Sequence, residues 1–271
     1  MCPKTQKMPS SSSSTTRSYT LTALVAATAL YIVGFLVIGI WALVASSVAP
    51  VLLIYSNLSF LVPALQALKL NRWTMAALYV FMILASSFYH ACNNWTGDCV
   101  LDADVLRKTD FFFAQLLIVI TALYLIQFTP HWAFIERWLI LVAALALFVV
   151  EVTMDEPFMA QVIIVGVSVA LIVGYWIGYA CTARWRKGRY RYFPPYDWEA
   201  FALGIALTAL ACVLFSTQLA WHLGYPWVHS IWHTLAAFGQ YWILCTRPAA
   251  PRDAAMDARI THRQRHQWVG E

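Results

Sequence analysis

Tyr225-Pro-Trp-Val-His-Ser-Ile-Trp-His-Thr-Leu-Ala-Ala-Phe-Gly-Gln-Tyr241 heads the last apolar segment of the chain. His229 and His233 are four residues apart, so on a helix one stands above the other on a single face. Two imidazoles in that relation can hold one metal ion. The surrounding segment reads as a membrane span, where a polar side chain is costly unless it has a partner or a task. The question the pair raises is which other polar residues share its depth.

Composition places the chain in the bilayer. Of 271 residues 61% are hydrophobic and 11% charged, and the mean hydropathy is +0.64, which fits a polytopic membrane protein. The net charge of +5 is then a topology signal and gives no reason to expect nucleic-acid binding. The six cysteines include no Cys-x-x-Cys pair, which argues against a thiolate zinc site. Cys92 and Cys99 flank one short loop, and a disulfide between them and a pair of separate thiols are both open readings.

Outward from the histidine pair, the chain divides into four stretches. Residues 1–18 are polar, with a Ser/Thr run, and read as a disordered cytoplasmic tail. Residues 19–48 hold a long apolar run, Thr20–Val48, which exceeds the core of a signal peptide and reads as an extra N-terminal transmembrane helix or signal anchor. Residues 49–246 carry seven further spans. The first runs from Pro50 to about Leu68; the others are Met75–Cys92, Phe111–Phe128, Trp138–Val150, Phe158–Tyr179, Phe201–Ala220 and Val228–Cys245. Residues 247–271 form a basic cytoplasmic tail. The longer runs approach the ~20 residues that a helix needs to cross a bilayer, and no strand alternation suggests a barrel.

Basic residues orient the spans. All but Arg107 and Lys108 of the 18 Lys and Arg residues fall on the side that holds both termini. Both termini are therefore expected in the cytoplasm, with the Asn93–Leu106 loop outside or lumenal. Asn94-Trp95-Thr96 in that loop is an N-glycosylation sequon. The expected location is a multi-pass protein of the plasma membrane or an endomembrane.

In this orientation His90 lies at the outer end of one span, Asp110 heads the next, and His229 and His233 lie in the first turns of the last. All four belong to the outer leaflet. A single histidine in a span is commonly a helix–helix hydrogen bond. Three at one depth beside a carboxylate suggest a zinc site with an open fourth position. Water activated by such a zinc is a nucleophile near neutral pH. Asp110 would accept its proton, and Ser86, one helical turn before His90, would hydrogen-bond the water or a developing oxyanion.

The strings Ser86-Ser-Phe-Tyr-His-Ala-Cys92, Asp110 at the head of a span, and His229-Ser-Ile-Trp-His233 together resemble the CREST superfamily of seven-helix membrane metal hydrolases. That group includes alkaline ceramidases, adiponectin/progestin receptors and the transmembrane protein 8/myomaker family, and the strings are most similar to the last. The resemblance covers roughly Ala49 to Cys245. It implies an all-α, polytopic membrane helix bundle: a seven-helix CREST-like core plus one extra N-terminal span. It also implies zinc on His90, His229 and His233, with Ser86 and Asp110 next to it. Two features depart from the pattern: Asn93 stands where relatives often have Asp, and no cysteine follows Cys245.

The expectation is a zinc-dependent intramembrane hydrolase of an acyl ester or amide in a membrane lipid, phospholipase- or ceramidase-like, with its site facing the outside or lumen. The alternative is a non-enzymatic fusion factor or receptor-like protein with a structural zinc. A transporter would show mid-membrane charges and internal repeats, and the sequence shows little of either.

Overall fold

The computed structural model describes residues 30–37, 49–95, 99, 101–126, 128, 133–153, 157–182, 193–194, 196–217 and 224–246. Among them there is no strand, and the chain is an all-α membrane helix bundle. The helices are α1 (residues 30–37), α2 (Ala49–Asn57), α3 (Leu61–Lys69), α4 (Trp73–Trp95), α5 (Ala103–Leu125), α6 (Ala133–Thr153), α7 (Pro157–Cys181), α8 (Trp198–Thr217) and α9 (Tyr225–Cys245). A 3₁₀ turn at Leu58–Phe60 joins α2 to α3, so these two make one rod across the bundle. Counted that way, α2/α3 and α4 to α9 form seven rods.

Five of the rods, Val51–Lys69, Trp73–Cys92, Ala103–Leu125, Ala160–Cys181 and Trp198–Thr217, are long and apolar enough to cross a membrane by length and hydropathy. At 21 residues each, α6 and α9 match them in length. Large apolar side chains on the outside of the bundle, such as Leu145, Val152, Val167 and Ile177, are exposed, as they must be where lipid is the solvent.

The packing centres on α9 and α5. Helix α9 lies against α8, the α2/α3 rod and α5, while α5 also touches α4, α6 and α7. The α8–α9 seam is the tightest. A Cβ built on Gly239 would stand 2.5 Å from Thr208 Oγ1 and 3.2 Å from the Gly204 carbonyl oxygen. One built on Gly204 would meet the Ile243 amide at 2.9 Å. Only glycine lets these backbones approach so closely, the usual device where lipid supplies no hydrophobic drive to association. On its other side, α9 faces a core of Phe60, Tyr79 and Met82. Tyr124 Oη donates to the Leu244 carbonyl at 2.9 Å near the far end of the same helix.

Hydropathy misplaces one boundary that matters. The expected loop Asn93–Leu106 is partly helix, because α4 runs on to Trp95 and α5 starts at Ala103. Asp102 caps α5 by accepting the Asp104 amide at 2.8 Å. Asp104 then pairs with Arg107 and Lys108 one turn on. These charges lower the hydropathy of a stretch they stabilise as helix. Asp110 consequently sits two turns inside α5, not at its head, and is buried. At the other end of the chain, Gly224 holds φ 81° before α9, and Pro226 occupies its first turn, where no amide is needed.

Of the tails and the extra span, only residues 30–37 are described. They are helical and rest on the bundle: the Tyr31 ring stacks on Tyr55 at 5.6 Å, and Tyr31 Oη lies 2.9 Å from Thr234 Oγ1. The basic stretch Arg184–Arg191, residues 1–18 and residues 247–271 lie outside the described residues.

Candidate metal centre

His90, His229 and His233 meet inside the bundle. All three are buried, and one ring nitrogen from each lies within 4.8 Å of the others. Ring centroids are 4.9 Å apart for His90 and His229, 5.4 Å for His90 and His233, and 4.5 Å for His229 and His233. Among the described residues this is the one cluster of three or more potential metal ligands.

The hydrogen bonds assign the tautomer of His233. Ser56 Oγ donates its proton to the Leu53 carbonyl at 2.7 Å, so it can only accept from His233 Nδ1, 2.9 Å away. His233 therefore carries its proton on Nδ1 and presents a bare Nε2. That nitrogen is fully buried and has no hydrogen-bond partner. A buried imidazole nitrogen with a free lone pair, in a cluster of three histidines, is a donor that a borderline metal such as zinc accepts, and a hydrogen bond on the other ring nitrogen is its usual support. The residues present fit a bound metal.

Ser56 was not among the residues singled out from the sequence. It belongs to a polar group, Ser56, Asn57 and Ser59, within the otherwise apolar α2/α3 rod, and all three are fully buried. Ser59 Oγ donates to the Ser56 carbonyl at 2.7 Å and reaches the His233 carbonyl at 3.4 Å. Asn57 Nδ2 donates to Ser87 Oγ at 3.3 Å. Three polar residues at the depth of the histidines were the signal in the sequence that could have found them.

The structure also brings Ser86 and Asp110 together. Both are buried, and the Ser86 hydroxyl faces the Asp110 carboxyl within electrostatic reach, without a hydrogen bond of standard geometry. Tyr89 and Tyr225 lie within electrostatic reach of Asp110 as well. Tyr89 packs on His90 with centroids 5.0 Å apart, and Tyr225 on His229 at 4.7 Å. Asp110 thus lies among three residues, each a neighbour of the triad in sequence or in space. Trp232 completes the wall, 4.7 Å from His229 and 4.6 Å from His233.

At the same end of the bundle Cys92 and Cys99 are joined as a disulfide, with Cα atoms 5.3 Å apart. Asn94 falls in the last turn of α4, and its side chain lies outside the described residues.

A family model described as "Protein of unknown function (DUF3522)" matches residues 45–234. The match includes Ser86, His90, Asp110, His229 and His233. Transmembrane protein 8B of Mus musculus is 28% identical over 211 residues, 77% of this chain and 43% of the relative. The Homo sapiens protein of the same name is 27% identical over 211 residues, again 77% of this chain and 43% of the relative. Post-GPI attachment to proteins factor 6 of Homo sapiens is 24% identical over 212 residues, 76% of this chain and 26% of that protein. The chain thus spans less than half the length of these curated relatives.

Proposed function

Because the chain belongs to the DUF3522 family, whose matched region holds the whole histidine cluster, we propose that it is a zinc-dependent hydrolase of an acyl ester or amide in a membrane lipid. The observation that carries this reading is the buried triad together with the unpartnered Nε2 of His233. His90, His229 and His233 would hold the metal. Zinc held there would supply Lewis acidity toward a carbonyl and toward water.

The protein's own residues supply the rest. The Ser56 hydroxyl holds the His233 ring at one angle and in one tautomer. Asp110, flanked by Ser86, would take the proton of the attacking water. Ser86 offers a hydroxyl to the developing oxyanion. Tyr225, Tyr89 and Trp232 wall the centre with aromatic rings and limit bulk water. A site embedded in a membrane bundle is reached most directly from the bilayer, which favours a lipid substrate. The name of one relative refers to events after GPI attachment to proteins, so a GPI-linked acyl chain is the first substrate to test.

The positive-inside reading puts both termini in the cytoplasm and the triad toward the outside or lumen. The Cys92–Cys99 disulfide at that end supports it, since such bonds persist in oxidising compartments.

The test is lipid product analysis on purified, zinc-analysed protein. Asp110→Asn should keep its zinc and lose about 10²-fold or more of hydrolysis, the scale of a lost general base. His229→Ala should lose the zinc itself. Hydrolysis by Asp110→Asn at the wild-type rate would remove Asp110 from the chemistry. If wild type binds zinc and cleaves no lipid across a broad panel, the metal is structural.

A further inference from the structure

At the opposite end of the bundle a cavity of about 320 Å³ opens between the α3–α4 turn and the helices α5 and α6. Its polar lining is Asn71, Arg72, Thr74, Glu136 and Arg137, with the Tyr124 ring as floor. Arg72 lies 18 residues before His90 along α4, or about 27 Å at 1.5 Å per residue. The cavity is therefore separate from the metal centre.

We propose that this cavity binds the phosphate of an anionic lipid headgroup from the leaflet on that side. Two features of Arg72 make it a built site. Its guanidinium is held at 3.1 Å by Glu136 Oε1 and lies 5.6 Å over the Tyr124 ring, so its plane is fixed from two directions. Its backbone is also fixed: the amide donates to the Ala67 carbonyl at 2.8 Å, the carbonyl accepts from Ala76 at 3.0 Å, and Asn71 before it takes φ 56°.

The charge balance is positive. Glu136 offsets one arginine, and among the described residues no carboxylate pairs with Arg137. The first turn of α4, which borders the cavity, carries no acidic side chain. Its amides lack intrahelical acceptors and its dipole end is positive. A fixed guanidinium fork, a second arginine and helix-start amides fit the oxygens of a phosphate better than a single carboxylate. Trp73, 68% exposed at the head of a span, marks the level of the membrane interface. Lipid headgroups lie at that level, so the phosphate is assigned to a lipid.

The test uses the full chain in nanodiscs of phosphatidylcholine alone, with added phosphatidylserine, or with added phosphatidylinositol bisphosphate, and counts retained lipid by native mass spectrometry. Wild type should retain the anionic lipids, phosphatidylserine and the phosphoinositide, in preference to phosphatidylcholine. Arg137→Gln, an exposed change that leaves the Arg72–Glu136 pair alone, should weaken retention about fivefold or more, the scale of one arginine at an anionic surface. Thr74→Ala should weaken it less. Equal retention of phosphatidylcholine would show no preference for an anionic headgroup, and unchanged retention by Arg137→Gln would move the site elsewhere; either overturns the proposal. Displacement of the lipid by inorganic phosphate at comparable concentration would overturn its lipid source.

Discussion

Replacing Ser56 by alanine isolates what one hydroxyl does for the metal centre. In the structure this hydroxyl accepts the Nδ1 proton of His233 at 2.9 Å in a site closed to solvent. Alanine leaves that donor buried without an acceptor, a cost of about 1–3 kcal/mol. At about 1.4 kcal/mol per tenfold, this is roughly 5- to 150-fold in an equilibrium constant. Losing a supporting partner of a metal-bound histidine usually weakens affinity about 10- to 100-fold, so the two estimates agree. The expected result for Ser56→Ala is zinc affinity lower by about 10- to 100-fold, measured by competition with a chromophoric chelator on metal-stripped, purified protein. Thermal unfolding of the metal-free form controls for the lost Ser56–Leu53 bond. Zinc affinity within twofold of wild type in a folded Ser56→Ala protein would refute the tautomer assignment and the role of α2 in holding His233.

Two further outcomes follow from the packing and the charge pattern. Gly239→Val should cost about 1–3 kcal/mol as an overpacked seam and also weaken zinc binding, because α9 carries two histidines of the triad; Gly166→Val, where a Cβ would meet nothing within 4 Å, should unfold at the wild-type temperature. A thiol-reactive, membrane-impermeant label should reach Val105→Cys in sealed, right-side-out membranes but reach Arg259→Cys only after permeabilisation. Labelling of Arg259→Cys before permeabilisation would reverse the orientation.

Much of the fold and the metal centre was legible because both rest on strong, local signals. Long apolar runs report helices in lipid directly, and the i, i+4 spacing of His229 and His233 puts both rings on one face of α9. Depth in the membrane then brought His90 alongside them before any contact was known. The helix start of α5 was harder to read, because hydropathy counts Asp104, Arg107 and Lys108 as loop-forming when their mutual pairing stabilises a helix. Ser56 was harder still. A serine in a span is common, and its meaning here comes from a contact with a residue 177 positions away. The cavity at Arg72 was invisible for a related reason: Arg72, Tyr124 and Glu136 come from three helices, and only packing brings them into one place.

The bond between Ser56 and His233 also constrains the order of events during biosynthesis. Helix α2 is made early, and α9 emerges only after every other core helix. His90 can meet no second ligand of the triad until His229 has left the ribosome, and His233 has no Nδ1 acceptor until α9 has folded back against α2. A metal held by all three histidines could therefore be loaded only after α9 has docked. A nascent chain stopped before α9 would carry only one histidine of the triad, and Ser56 without its ring partner.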